Sequence, residues 1–497
     1  MNMLSSFNAR TGEVLGELPP TPPTEVDAAC EAAAAAFETW QSTRGLERAT
    51  LLRALATALL ADRDGLVALT DAETALGPMR LNGELDRTVF QLRRFADMAE
   101  RGDPYAVVDD PAVPGAPPVG HPDMQRWHLP LGPVAMFSAS NFPFAFSVLG
   151  GDTASALAAG CPVVVKAHSG HLLSSQRVFN LVRQVLSALN LPQGLVGLVQ
   201  GSGNDVGVRL IRHPAIAAGA FTGSTRGGAA LAAEAAARPR PIPFYGELGS
   251  TNPVVALPQK LAAEGHTLAT VLAGSITLGC GQFCTSPGVL VLIDQGQPQI
   301  DAKAVNDAFV AQLSQALREQ QPHAMLTQGM RSAFEAGVAH WAEAGAHMLL
   351  NEPAGTSTPR PVLMQVMAHE FVARSVLREE VFGPGCVVVR AASVTQALQV
   401  LAAVGGSLTV TLWGAEEESQ MSQALVHAAM SIAGRVLFSG VPTGVAVSVA
   451  QQHGGPWPSS TRPDSTSVGD AALTRFLRPV CLQDPPQWLR DRSGCCV

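Results

Sequence analysis

Gly279-Cys280-Gly281-Gln282-Phe283-Cys284-Thr285-Ser286-Pro287-Gly288 sets two cysteines among glycines. Glycines let a substrate and backbone N–H groups approach closely. An open, polar setting is what a thiolate nucleophile needs. The competing reading of each thiol is a small buried core residue. Cys280 and Cys284 could also suggest a metal pair. No second Cys/His pair at zinc spacing accompanies them, so no metal is expected.

Three further segments could serve a nucleophile. In Phe244-Tyr245-Gly246-Glu247-Leu248-Gly249, Glu247 lies at a strand end among apolar neighbours. Desolvation there would raise its pKa and suit it to general-base work, unless it merely pairs locally. Ser138-Ala139-Ser140-Asn141-Phe142-Pro143-Phe144 follows an apolar strand, and the Asn141 amide could donate to an oxyanion or simply shape a turn. Phe221-Thr222-Gly223-Ser224-Thr225-Arg226 joins a strand to a helix. Gly223 and Ser224 sit where a helix N-terminus can take a phosphate, or where any strand-turn-helix corner would fall. It is not the G-x-G-x-x-G fingerprint.

Lysine is scarce: Lys166, Lys260 and Lys303 stand among 33 basic residues. Lys166 ends the apolar run Val163-Val164-Val165, at the strand end where α/β sheets bind ligands, or it reaches past the sheet to solvent. Arg378-Glu379-Glu380-Val381-Phe382-Gly383-Pro384 reads on its own only as a charged turn before a strand.

The elements that must position these groups follow from periodicity. Thr24 and Asp27 resemble a capping box, and Val26, Ala29, Cys30, Ala33, Phe37 and Trp40 recur at helical spacing. Amphipathic stretches run over 46–69 and 71–100, and 103–123 reads as a Pro- and Gly-rich linker or exposed hairpin. Strands at 132–137, 161–166, 196–199, 216–222 and 241–248 then alternate with helices at 145–159, 174–189, 204–212 and 229–237. A second alternating unit has helices at 259–278 and 301–320, with strands at 289–293, 386–390 and 408–412. Such alternation predicts α/β architecture with parallel sheets covered on both faces.

Composition closes off other classes. At 497 residues the prior is about three structural units. Hydrophobic residues make up 47% and charged residues 15%, enough for a large core and unlike a disordered chain. The net charge of −8, without a basic stretch, argues against nucleic-acid binding. No run approaches about 20 apolar residues, so no membrane span is expected. The N-terminus does not read as a signal peptide, and eight scattered cysteines suit a reducing cytoplasm. The tail Cys495-Cys496-Val497 is not a lipidation box, because Gly494 stands fourth from the end.

Taken in order, these segments resemble the aldehyde dehydrogenase superfamily over almost the whole chain, beginning with Phe7-Asn8-Ala9-Arg10-Thr11-Gly12-Glu13-Val14. Within it they resemble the ketoglutarate-semialdehyde (2,5-dioxopentanoate) dehydrogenase branch, which is itself similar to certain NADP-linked long-chain enzymes. The late segments His453-Gly454-Gly455-Pro456, Thr466-Ser467-Val468-Gly469 and Arg475-Phe476-Leu477-Arg478 share in this likeness.

The resemblance implies an aldehyde-dehydrogenase-like α/β fold with a Rossmann-type cofactor domain (1–110 and 131–245), an α/β catalytic domain (246–447) and a small oligomerisation arm (111–130 and 448–497). It implies catalytic roles for Cys284 as nucleophile, Glu247 as base and Asn141 at the oxyanion. It also implies cofactor contacts from Lys166, Ser169, Gly223, Ser224, Glu380 and Phe382. Ser169 stands where NAD-preferring members often carry glutamate. With His171 and Arg209 or Arg212 as phosphate partners, NADP is expected over NAD. The remaining expectations are a small aldehyde substrate, a homodimer or homotetramer and a cytoplasmic location. The rival readings are a broad-specificity or long-chain aldehyde dehydrogenase and a non-catalytic binding protein on the same fold.

Overall fold

The computed structural model describes residues 3–296, 299–321, 323–352 and 358–490. The tail cysteines Cys495 and Cys496 lie outside them. Short Val- and Ala-rich runs become buried parallel strands because helices cover both faces. In the first sheet the order across is Val196–Val199, Val163–Lys166, Val134–Phe137, Ala218–Thr222 and Phe244–Glu247, all parallel. The order reverses beside Val134–Phe137, and the candidate residues Asn141, Lys166, Gly223 and Glu247 all fall at or just beyond strand C-termini. Crevices at such reversals are where open α/β sheets bind ligands.

The second sheet runs His347–Asn351, Val362–Met367, Gly385–Ala391, Val289–Ile293, Val254–Ala256, Ser407–Trp413 and Ala433–Leu437. Only its first pair is antiparallel among these described strands. A small antiparallel sheet joins Leu477–Gln483, Met124–Pro130 and Val108–Asp110. The two α/β layers and the small sheet answer to the α/β expectation.

Several local expectations change. The first helix, Pro23–Trp40, starts on proline at its first position with no side-chain cap, and Asp27 pairs with Arg209 instead of capping. The stretch 46–69 is two helices, Gly45–Ala61 and Arg63–Thr74, broken at Asp62. The next helix, Pro78–Arg101, follows a left-handed Ala75 and Gly77. Residues 145–150 form turns, and the helix is only Gly151–Ala159. The Phe144 and Ala145 N–H groups donate to the buried Glu84 carboxylate (2.7 and 3.0 Å), which holds them out of a helix.

The arm boundary also changes. Leu477–Gln483 does join the small sheet, but residues 453–467 pack against the cleft between the two large sheets. They are drawn there by polar contacts that a free arm could not make. One anchor of this late segment is Arg475, whose Nη2 meets Asp152 Oδ1 at 2.6 Å with both side chains nearly fully buried. Replacing Arg475 with methionine strands a buried carboxylate. It is expected to cost roughly 3–5 kcal/mol of stability, read as a lower denaturant midpoint, whereas Arg478→Met on the exposed strand face is expected to cost little.

Candidate active site

Cys284 lies in the loop after the short helical turn Leu278–Gly281. That loop needs its glycines. Gly281 has φ +66°, and a Cβ there would sit 2.2 Å from the Gly383 carbonyl oxygen. Gln282 is fully buried, taking the Leu326 N–H on Oε1 and donating from Nε2 to Gly279 O. Asn252, left-handed at φ +46° and fully buried, donates to the carbonyls of Ser250 (3.2 Å), Cys284 (2.8 Å) and Ser286 (2.9 Å). Its Oδ1 accepts from Ser250 Oγ and Thr409 Oγ1. The thiol is thus carried on a loop pinned to the second sheet. The neighbouring Cys280 is turned away: its Sγ donates to His323 O, and burial pushes its thiol up to about 12.

Glu247 arrives from the other sheet, at the end of Phe244–Glu247. Its backbone carbonyl accepts the Gly223 N–H at 3.1 Å, which ties it to the phosphate-type turn. Its side chain is buried. Ser467 Oγ donates to Oε2, and His453 Nε2 stands 3.0 Å from Oε1. The same His453 Nε2 is 3.4 Å from Cys284 Sγ. The ligand atoms of Glu247, Cys284 and His453 all fall within 4.8 Å of one another. Asn141 completes the group from the first sheet. One hydrogen of its Nδ2 goes to Gln282 O at 2.9 Å, and the second remains for another acceptor.

The electrostatics correct one expectation. Burial pushes the Glu247 carboxyl up, but the facing His453, Ser467 and Cys284 outweigh it and hold its pKa below the ordinary carboxylate value. That direction favours the ionised carboxylate, the form the expected base role needs. Cys284 goes the other way: burial and the adjacent Glu247 carboxylate push its thiol well above the usual value, with Arg87 pulling against them. At rest the thiol is protonated and its proton acceptor is at hand.

The cofactor candidates gather along the first sheet's C-terminal edge. Lys166 has no side-chain hydrogen bond or ion pair among the described residues, and burial lowers its pKa. Ser224 caps the helix Thr225–Ala236, its Oγ accepting the Gly227 N–H at 3.2 Å. Glu380 takes the Ser250 N–H on one oxygen, and burial raises its pKa to about 7. Gly249 packs close beside it: a Cβ there would lie 2.4 Å from Glu380 Oε2 and displace the carboxylate. Glu380 and Phe382 line one cavity with Ser250, Gly281 and Phe283. An unpaired ammonium, a helix N-terminus beside Gly223 and a carboxyl with a spare oxygen are groups that a dinucleotide's phosphates and ribose hydroxyls fit.

The expected 2′-phosphate partners do not all survive. His171 is fully buried, with Nε2 on Ala139 O and Nδ1 on Ser175 Oγ, so it has no nitrogen to offer. Arg209 is paired with Asp27 and Arg212 with Glu234. Ser169 is exposed close to Lys166 in sequence and keeps its place in that reading. In the sequence His453 and Ser467 stand only within the late family-like segments, with no role for either, and Asn252 is assigned none. A histidine before Gly-Gly carried no local hint that it would meet a cysteine 169 residues earlier.

The aldehyde dehydrogenase family model matches residues 2–476. The chain belongs to the aldehyde dehydrogenase family. It is 43% identical to alpha-ketoglutaric semialdehyde dehydrogenase 2 of Azospirillum brasilense, over 93% of this chain and 87% of that protein. It is 39% identical to alpha-ketoglutaric semialdehyde dehydrogenase of Acinetobacter baylyi, over 94% and 87%. Proline utilization A from Bdellovibrio bacteriovorus shares the fold with a TM-score of 0.81 at 20% identity. That match covers 97% of this chain and 48% of the other, so the chain spans about half the length of that larger protein. No described helix of this family member is long and apolar enough to cross a membrane.

His453 sets the balance at Glu247, which gives a signed expectation. In His453→Phe the burial that raises the Glu247 pKa remains, while the imidazole that lowers it is gone. The acid limb of thioester hydrolysis, followed with an activated ester substrate, is expected to move to higher pH. An unmoved limb would mean that His453 does not tune the base.

Proposed function

We propose that this enzyme oxidises 2,5-dioxopentanoate (ketoglutarate semialdehyde) to 2-oxoglutarate with NADP+ as preferred acceptor. The observation that carries the reading is the convergence of Cys284, Glu247 and Asn141 from two sheets at one cleft. Support for the substrate comes from the two relatives that bear that name.

Sγ of Cys284 attacks the aldehyde carbon while its proton passes to the Glu247–His453 pair, 3.0 Å apart. The Asn141 amide and the Cys284 backbone N–H hold the resulting oxyanion. The chemistry a bound nicotinamide dinucleotide supplies is acceptance of hydride, which leaves a thioester on Cys284. The pair gives that proton up to solvent, and Glu247, ionised again, takes a proton from water as its oxygen attacks the thioester carbon. The C–S bond breaks, the sulfur takes the proton held by Glu247 to become thiol again, and the acid loses its own proton to solvent and departs as carboxylate. Lys166 and Glu380 would hold the cofactor's riboses, Ser224 its pyrophosphate and Phe382 its nicotinamide. The small antiparallel sheet, with its edge strand Val108–Asp110, is the surface we assign to a homodimer or homotetramer, and the cytoplasm is the compartment that fits free thiols.

Formation of reduced cofactor tests the reading. Purified enzyme is expected to turn over 2,5-dioxopentanoate with higher kcat/KM than pentanal or dodecanal. Better use of dodecanal would point to a long-chain enzyme, and no turnover of any aldehyde would overturn the assignment. Ser169→Glu tests the cofactor preference separately. A carboxylate there repels a 2′-phosphate and pairs with ribose hydroxyls. The NADP-to-NAD ratio of kcat/KM is expected to fall by at least about tenfold, since 1.4 kcal/mol of repulsion suffices for that factor.

A further inference from the structure

Two arginines, Arg87 and Arg435, have far more donor capacity than the fold uses. On the helix Pro78–Arg101, residues Arg80, Glu84, Arg87 and Gln91 share one face. That face looks onto the catalytic loops: Arg80 Nη2 donates to Asn141 O, Glu84 takes the Phe144 and Ala145 N–H groups, and Arg87 Nη1 donates to Val445 O. Arg435, on the strand Ala433–Leu437, donates from Nη2 to Pro442 O. Arg87 and Arg435 thus grip the two ends of one four-residue loop, Pro442 to Val445.

The contrast with structural arginines is informative. Arg238 spends its guanidinium on four backbone carbonyls, and Arg390 on two aspartates. Arg87 has one carbonyl and a long contact to Gln91 at 3.4 Å, and Arg435 has one carbonyl while its buried Nε has no acceptor. Neither lies within ion-pair distance of a carboxylate among the described residues. A guanidinium offers five N–H donors, and leaving it half-buried without an anion is costly. Arg87 lies over Phe146, whose ring packs edge-on against Phe142, and Phe142 in turn packs edge-on against Phe283, the neighbour of Cys284 in sequence. Arg435 follows Gly434, where a Cβ would meet the carbonyl of Gly454, the residue after His453. Burial lowers the pKa of both arginines. The walls between are aromatic. The Arg80 guanidinium lies 5.0 and 4.5 Å from the Phe142 and Phe283 rings, and that of Arg87 lies 5.8 Å from Phe146. Aromatic rings beside cations that lack a carboxylate partner match a short carbon chain ending in a carboxylate.

We propose that Arg87 and Arg435 form the anion subsite that selects aldehydes bearing a distal carboxylate. The inference rests on the aldehyde-oxidising reading above and names the group that would discriminate among aldehydes. The 2-oxo oxygen of a 2-oxo acid adds a further acceptor beside the carboxylate for the same pair of forks. Arg80, stacked between two rings and bonded to Asn141, is a positioning residue for the oxyanion amide.

The test compares wild type with Arg87→Met, Arg435→Met and the charge-preserving Arg87→Lys and Arg435→Lys. The readouts are the ratio of kcat/KM for 2,5-dioxopentanoate to that for pentanal, and the inhibition constant of glutarate, a non-reacting dicarboxylate. Removing one partner of a buried charge pair is expected to lower the ratio by at least about 30-fold and to weaken glutarate by a similar factor, with the lysine variants in between. Equal loss on both substrates, or unchanged glutarate inhibition, would overturn the subsite. The failure of the proposed substrate looks different. Wild type would then prefer pentanal, while glutarate inhibition that disappears in Arg87→Met would still support the anion subsite.

Discussion

Everything in the cleft answers to the cost of ionising a thiol against a carboxylate. Cys284 is half-buried, and its nearest charged neighbour is Glu247, so the resting sulfur keeps its proton. A protonated thiol is a weak nucleophile. The surrounding groups can be read as the means of making deprotonation affordable at the moment of attack. His453 bridges sulfur and carboxylate, Arg87 pulls the thiol pKa back down, and Asn141 keeps a second amide hydrogen for the oxyanion role proposed for it. Activation on demand also protects the sulfur from oxidation between turnovers, since oxidants act on thiolates.

The fold explains how these groups meet. Glu247 and Asn141 come from the first sheet, Cys284 from a loop pinned to the second through Asn252, and His453 and Ser467 from the late segment. No single element could supply them, because a strand presents only one or two side chains at its end. The bond from Gly223 N–H to Glu247 O couples the base to the turn that would carry the cofactor phosphates, and Glu380 sits against Gly249 two residues further on. The proposed cofactor site and the proposed base therefore share one strand end.

What was legible in the sequence was local. The strand-helix alternation announced both sheets, because buried parallel strands are short unbroken apolar runs. Cys284, Glu247 and Asn141 stood out because glycines and strand ends mark exposed chemistry. Boundaries slipped where one residue's tertiary partner decided them: Glu84 keeps 144–145 out of a helix, and Asp27 goes to Arg209 rather than to its own helix terminus. The groups that tune the chemistry were not legible. His453, Ser467, Arg87 and Arg435 act across long sequence separations, and their types alone fit any solvated surface. His171 failed in the opposite sense: it reads as a partner for a 2′-phosphate but is a doubly hydrogen-bonded core residue, its pKa lowered chiefly by burial.

The most direct measurement of the central claim is the pH dependence of Cys284 alkylation by iodoacetamide, followed site by site with peptide mass spectrometry. The other described cysteines give an internal scale: Cys161 is pushed up to about 11 and Cys386 to about 12 by burial, while Cys481 is exposed. The account predicts that Cys284 in the free enzyme reacts slowly at pH 7 and gains reactivity only above the ordinary thiol range. It also predicts that Glu247→Gln, which removes the opposing charge, shifts that profile to lower pH. A Cys284 already fully reactive at pH 6, or a profile that Glu247→Gln leaves in place, would contradict it.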